Sequence, residues 1–369
     1  MKHKLDAVVS SPSTPQGATR GDTGKNGAHP SVEEADIVRA RAKITRHYFT
    51  KIPSRILRRL SHSLAAGLSA LAAALPKRKR TLSQVLEKYD QLAGEYIKSR
   101  EASLAQPHEI VACLDGVPAK IGSDKYLAGF DSLIAENVFR LDPKAASYLE
   151  LGVGEYTSAV GGWKRSGNSP PGRFVGMDLS WSRLQVGERY ARSQGLPIEL
   201  SVLGNIFQLP FLDNSFDVVY TVHCLEQSPF NTVQALREMY RVAGSYLILI
   251  EPDYELGDRI QKRRLILQDY VRDIPQAIAT LGLNLRKHEL CRFGSHMNCP
   301  AIYIIQKEPA HSGRMAAEFL GCPQDHGALV KAHGQWFNPR LKLVYPMIGG
   351  IACLQVENAI RASRFLDEL

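Results

Sequence analysis

The residues best placed to do chemistry stand near the middle of the chain. An acid and two glycines lie together at Glu150-Leu151-Gly152-Val153-Gly154, behind the apolar Tyr148-Leu149 and ahead of Glu155-Tyr156-Thr157. Glycines allow a sharp turn and let a ligand come close to the backbone. The helix start that follows offers N–H groups with no partner inside the helix. A second acid, Asp178, closes the run Arg173 to Ser180, and an acidic side chain at such a strand end accepts hydrogen bonds from both hydroxyls of a ribose. Gly204-Asn205-Ile206 follows a third apolar stretch at 198–203. A fourth, Phe216 to His223, ends on an imidazole, with Glu226 three residues on. His223 has a near-neutral intrinsic pKa and is a candidate general base, with Glu226 of similar standing; the alternative is that His223 only packs on a ligand. Cys224 reads as a small buried residue rather than a nucleophile.

These residues need a sheet to bring them together. Strands over 148–151, 173–180, 198–203 and 216–223 place Glu150, Gly152, Gly154, Asp178 and Asn205 at the carboxyl ends of neighbouring parallel strands, where open α/β sheets bind ligands. Thr232 to Val242 reads as a helix with Val233, Leu236, Met239 and Tyr240 toward the sheet. Tyr246 to Glu251 is almost wholly apolar, the pattern of a strand buried on both faces. Glu251-Pro252-Asp253-Tyr254 then points to the mouth of the site. Asp258 to Ile274 reads as one long basic helix that Pro275 ends or kinks. Leu283 to Arg292 and Ala301 to Gln306 make an antiparallel addition, with 292–298 overhanging the site. Upstream, Thr81 caps a helix through Arg100 that carries Leu82, Leu86, Tyr89, Ala93 and Tyr96 on one side. Residues 101–147 read as a second helical piece.

The combination resembles the class I S-adenosylmethionine-dependent methyltransferases, of the type 11-like kind, over about Leu82 to Lys307. The motifs that carry it are Glu150 to Gly154, Asp178, and Gly204-Asn205-Ile206 with Leu209-Pro210-Phe211 and Asn214-Ser215-Phe216-Asp217-Val218-Val219. The resemblance implies an α/β fold with a Rossmann-like seven-stranded methyltransferase sheet and S-adenosyl-L-methionine as cofactor. It implies that Glu150, Gly152 and Gly154 hold the methionyl part, Asp178 the ribose, and Asn205 with Ile206 the adenine. Tyr156 stands where the family often has a third glycine, which makes it a candidate for the pocket wall. Tyr89 and Tyr96 fall on the helix that closes over the cofactor in many small-molecule members; the alternative is plain core packing. In the family the loop at His223 faces the sulfonium and the substrate. A nicotinamide-dinucleotide reading fits less well, because Gly-x-Gly-x-x-Gly requires glycine where Thr157 stands.

The formal charge of +9 is unevenly spread. Residues 1–80 hold 16 Lys/Arg against 5 Asp/Glu, and residues 81–369 hold 30 against 32, a net of −2. A body that tracked a phosphate backbone would more usually be basic itself. Residues 1–34 have the composition of a disordered tail. Residues 35–80 form a basic helical arm that either lies on a membrane surface or a nucleic acid, or docks on its own catalytic domain. Its apolar run, Leu64 to Leu75, is shorter than the about 20 residues a bilayer requires. Six scattered cysteines fit a reducing, cytoplasmic setting.

A domain over 81–310 is followed by a small α+β module over 315–369, β-rich with a closing helix. Its Tyr345-Pro346…Gly350-Ile351 run resembles the small zinc-ribbon-like activator proteins of tRNA and translation-factor methyltransferases. After Cys322-Pro323, Asp325 replaces the second cysteine of the metal-binding form, so a zinc site is not expected. The module reads as a metal-free partner packed in cis. The whole points to methylation of a small or specialised metabolite. Three alternatives stay open: an RNA or translation-factor methyltransferase, an enzyme that consumes the cofactor without methyl transfer, and a non-catalytic cofactor-binding module.

Overall fold

The computed structural model describes residues 81–228, 231–296, 298–308 and 318–367; the 1–34 tail and the 35–80 arm lie outside the described residues. Helix α1 (Leu82–Asp90) starts at Thr81, whose hydroxyl accepts the Gln84 N–H while the Gln84 side chain accepts the Thr81 N–H, a capping box. The single helix expected through Arg100 is divided. Gly94 takes the left-handed conformation at φ +92° and α2 (Glu95–Ala105) starts afresh. The helical piece expected over 101–147 is interrupted, after α2 ends, by a hairpin, β1 (Glu109–Leu114) and β2 (Val117–Gly122). Asp115 and Gly116 at its tip both have positive φ, as a tight hairpin turn requires. Helix α3 (Ser123–Ile134) then runs into a π-helical turn, Ala135–Phe139.

The main sheet is built from β3 (Ser147–Leu151), β4 (Arg173–Asp178), β5 (Leu200–Leu203), β6 (Phe216–Val222) and β7 (Ala243–Pro252), all parallel. Their connections carry α4 (Thr157–Ser166), α5 (Trp181–Ser193) and α6 (Thr232–Val242). Every residue of β3, β4 and β6 is buried, which is why these strands read as continuous apolar runs. After β7 the chain forms α7 (Arg259–Leu267) and α8 (Ile274–Thr280) rather than one long helix. Pro275 sits in the first turn of α8, where its missing N–H costs nothing, so it opens a helix instead of ending one. Strands β8 (Leu285–Leu290), β9 (Phe293–Ser295) and β10 (Pro300–Gln306) follow. β10 pairs antiparallel with both β7 and β8, and β9 pairs with β1, fastening the hairpin to the body.

The C-terminal part contributes β11 (Val330–Ala332), β12 (Gln335–Asn338), β13 (Leu343–Tyr345), β14 (Met347–Ile348), β15 (Ile351–Cys353) and β16 (Ile360–Arg361). β15 pairs parallel with β5, so the main sheet has nine strands, in the order β14-β15-β5-β4-β3-β6-β7-β10-β8, where seven were expected. The two extra strands cover the edge of β5 that would otherwise stand unpaired. The expected closing helix is only the short turn Val356–Asn358. Asp325 is spent locally: burial alone would raise its pKa, but the Gly327 N–H, Arg340 and Asn338 hold it down at about 2. Among the described residues no helix is long and apolar enough to cross a membrane.

An aromatic cluster joins the C-terminal segment to the sheet. Phe319 lies edge-on to Phe216 at 5.8 Å and stacks with Phe211 at 6.4 Å, with the Arg173 guanidinium 4.2 Å from its ring centre. Phe319→Ala is expected to cost about 3–5 kcal/mol and to lower the thermal midpoint by several degrees. An unchanged melting curve would mean that this contact holds nothing together.

Candidate functional site

The turn after β3 is shaped by two left-handed glycines. Gly152 has φ +69°, and a Cβ there would lie 2.5 Å from Cys224 Sγ; Gly154 has φ +54°, and its Cβ would lie 2.5 Å from the Arg183 guanidinium. The N–H groups of Gly152 and Val153 both donate to the carbonyl of Met177, at 2.8 and 3.0 Å. The Gly154 N–H donates to Asp178 Oδ2 at 2.8 Å and the Ser180 N–H to Oδ1 at 2.9 Å. A carboxylate has about four acceptor positions, so Asp178 can still accept from a ligand's hydroxyls.

A cleft of about 640 Å³, part of it open solvent, lies at this edge of the sheet. Its wall includes Gly152, Met177, Asp178, Asn205, Ile206 and His223, and α1 covers it with Leu82, Val85, Leu86 and Tyr89. The cover is tied down by specific contacts. Ser180 Oγ donates to Asp90 at 2.7 Å, and the Ile97 N–H donates to Glu155 at 2.9 Å. The Arg183 guanidinium lies 5.4 Å from the Tyr89 ring centre and 4.6 Å from that of Tyr96, with Glu155 at 3.5 Å.

Six of the residues singled out in the sequence meet in this cleft: Gly152, Asp178, Asn205, Ile206, Tyr89 and His223. Gly154 lies beside it, beneath Arg183. Glu150 lies below the cleft wall, 1% exposed, and accepts the Tyr220 hydroxyl at 2.8 Å; burial pushes its carboxyl up to about 8. Tyr156 does not form pocket wall. It is wholly buried, bonded through its hydroxyl to Ser201 at 2.6 Å, in space left by the missing side chain of Gly176. Tyr96 is 45% exposed and stands outside the cleft against Arg183. Arg183 and Glu155 were missed. Arg183 carried a signal: a cation in the first turn of a helix opposes the helix dipole and asks for a reason.

His223, at φ +54°, holds its Nδ1 3.3 Å from Glu226 Oε2. Glu226 lies behind it, buried, and also accepts the Asn298 amide at 2.8 Å, while Arg264 donates to Asn298 Oδ1. Burial pulls the His223 pKa down, but the hydrogen bond and charge of Glu226 outweigh it and the net shift is upward. For Glu226 burial pushes up, and His223 outweighs it downward. Glu251 and Asp253 do not reach the mouth as expected. Glu251 is wholly buried and accepts the N–H groups of Cys224, Leu225 and Glu226 at 2.9, 3.0 and 3.3 Å. Asp253 accepts the Leu256 N–H at 2.7 Å and bonds His288 and Tyr303. Both strand-end carboxylates turn into the fold to hold its loops.

Residues 149–249 match the family model described as a methyltransferase domain. Over 84 residues the chain is 41% identical to a demethylmenaquinone methyltransferase of Geobacillus stearothermophilus, which is 22% of this chain and 36% of that protein. The chain thus spans about a third of the length of the curated relatives it matches. Among solved structures it is similar to the (4+2)-cyclase SpnF, with a TM-score of 0.46 and 18% identity over 63% of this chain and 97% of that one. It is also similar to magnesium protoporphyrin IX methyltransferase (ChlM) from Synechocystis PCC 6803 with bound SAM, with a TM-score of 0.41 and 12% identity over 60% and 95%. The matched segment is similar to methyltransferase domains, and the ChlM structure holds S-adenosyl-L-methionine. The cleft suits that cofactor: its glycine turn leaves no room for side chains, and Asp178 keeps acceptor capacity at the strand end.

The buried acids set a pH dependence. Burial raises Glu251 to about 7 and Glu150 to about 8. The folded state therefore keeps protons that the unfolded chain has already lost, so stability falls as pH rises from about 4.5 through 7 and 8. The raised His223 adds to the fall, since its contribution is lost as pH passes its folded pKa. Urea denaturation should show a more stable protein at pH 5.5 than at pH 8.5. Glu150→Gln, which keeps an acceptor for Tyr220, should flatten the slope; an unaltered slope would mean that Glu150 titrates normally.

Proposed function

We propose that the protein transfers the methyl group of S-adenosyl-L-methionine to a small molecule. The observation that carries the reading is the set of Gly152, Asp178 and Asn205 with Ile206 at the carboxyl ends of three adjacent parallel strands, inside the matched segment. The glycine turn serves the methionyl end, with Glu150 supporting it from beneath through Tyr220, Asp178 serves the ribose hydroxyls, and Asn205 with Ile206 the adenine. Tyr89 and Leu86 on α1 close the cleft and keep water out. Bound cofactor supplies an electrophilic methyl group, and the chain's task is to hold an acceptor in line with it, so most of the rate comes from positioning.

His223 is the group we assign to the acceptor's proton. Its Nδ1 is engaged by Glu226, and its Nε2 takes no hydrogen bond from the described residues. Glu226, held in turn by Asn298, orients the ring and stabilises the imidazolium that forms. A small acceptor is supported by the partial match to enzymes named demethylmenaquinone methyltransferase and by the nearly neutral 81–369 body. We read 81–310 as the catalytic domain and 315–369 as an activator-like module that stabilises it in cis, through the pairing of β15 with β5.

Calorimetric titration with S-adenosyl-L-methionine and S-adenosylhomocysteine tests the cofactor site. The wild-type protein should bind both, and Asp178→Ala should bind about 10- to 100-fold more weakly. Absence of binding by the folded wild-type protein overturns the reading. With an acceptor that is turned over, kcat should rise with pH as the neutral imidazole forms. Glu226→Gln should move that limb to lower pH, because the anion that raises the His223 pKa is gone. A limb that stays in place would remove His223 from the proton's path.

A further inference from the structure

A second cavity lies next to the cleft, between α2, α3 and the first turn of α4, and holds about 1090 Å³, part of it open solvent. Only Thr157 and Ser158 of its lining belong to the matched 149–249 segment; the rest comes from residues 95–131. Much of its wall is apolar or aromatic: Tyr96, Ile110, Tyr126, Leu127 and Phe130. Among the described residues its carboxylates and guanidinium are all paired. Arg100 forks onto Asp131 at 3.1 and 2.5 Å, with both side chains largely buried, and Glu95 at the exposed rim meets Lys98 at 2.7 Å, so no unpaired charge faces the ligand.

An aromatic stack leads from this cavity to the cleft. Tyr126 and Phe130, one helical turn apart on α3, stand 6.2 Å apart at 19° between planes. Phe130 and His223 stand 6.2 Å apart at 29°. The first two rings line the second cavity and the imidazole lines the cleft. On the other side, Tyr96 of the cavity and Tyr89 of the cleft share the Arg183 guanidinium.

We propose that this second cavity binds the methyl acceptor and that the acceptor is an uncharged planar aromatic bearing a hydroxyl, its ring against Tyr126 and Phe130 and its oxygen toward His223. The proposal rests on the methyltransferase reading above. Flat rings gain from offset or edge contacts along such a stack, which saturated rings of the same size do not. In the reaction the acceptor oxygen bonds the methyl carbon as the sulfur–carbon bond breaks. The hydroxyl proton passes to His223 Nε2, and S-adenosylhomocysteine leaves.

The test uses the full chain, saturated with S-adenosylhomocysteine, and the fluorescence of 2-naphthol as probe. Naphthol should bind, and decahydro-2-naphthol should compete at least about 10-fold more weakly. Phe130→Leu, which keeps bulk and removes the π face, should weaken naphthol about 3- to 10-fold. Ser103→Trp, which fills the cavity from α2, should abolish naphthol binding. Both variants should keep S-adenosylhomocysteine affinity within about twofold by calorimetry, which also certifies that they are folded. Naphthol binding unaffected by Ser103→Trp, equal competition by the saturated alcohol, or no naphthol binding by the wild-type protein would each overturn the proposal. Loss of S-adenosylhomocysteine binding in the wild-type protein would instead overturn the cofactor reading on which it rests.

Discussion

The N–H of Gly154 reaches from the turn after β3 to the carboxylate of Asp178 at the end of β4, while the second oxygen of that carboxylate takes the Ser180 N–H. Hydrogen bonds from backbone N–H to an ionised carboxylate are short and about twice as strong as neutral ones. One side chain therefore fixes two turns at once, and these are the turns that frame the cleft. Glu251 repeats the device one strand pair away, taking three successive N–H groups of the turn that carries His223 and Glu226. At the opposite end of the sheet Asp217 takes the N–H groups of Ala146 and Ser147 where β3 begins. The loops at both ends of the central strands are held by carboxyl groups that accept backbone N–H groups rather than by apolar burial, and those at the carboxyl end frame the cleft.

The cover over the cleft is fastened in a different way. Helix α2 buries no residue, so it has little hydrophobic reason to stay where it is. It is held by the Ile97 N–H on Glu155, by the Arg100–Asp131 pair, and by Tyr96 on the Arg183 guanidinium. Segments with few buried apolar contacts open at low free-energy cost. Arg183 is central to this arrangement: it sits on Gly154, pairs with Glu155 and presents faces to two tyrosines of the cover. A cation in the first turn of α5 runs against the helix dipole, and the buried Glu155 carboxylate offsets it.

Strands β3, β4 and β6 were legible because burial on both faces leaves one continuous apolar signal. Helix α6 was legible to the residue because its apolar residues recur at helical spacing. The acid and glycine that line the cleft at Asp178 and Gly152 were legible because backbone geometry at a strand end restricts residue type. Side-chain direction was not. Glu251 and Asp253 occupy strand-end positions like Asp178, yet both turn inward, and nothing in the local sequence separates the cases. Tyr156 looked like wall and is core, because its partner is Gly176 on the next strand, a contact twenty residues away in the chain. The hairpin over Glu109–Gly122 was hidden by residues that suit a helix as well as a strand, and its tip Asp115-Gly116 was the cue that went unused.

The edge of the sheet shows why a distant segment bears on the cleft without lining it. β5 is four residues long and leads directly into Gly204, Asn205 and Ile206. β15 pairs with its last two residues, and the Leu354 N–H donates to the carbonyl of Leu203 at 2.9 Å. The same C-terminal segment accepts the Trp181 indole N–H on the carbonyl of Ile348 at 3.1 Å, one residue after the Ser180 that Asp178 holds. A short edge strand left alone frays, and its fraying would be felt first at Asn205. Pairing from the C-terminal side removes that freedom and braces the adjoining turn as well. Two residues of strand pairing and one indole hydrogen bond are a small area of contact. They act where the strand ends and the turns that line the cleft begin, so their position matters more than their extent.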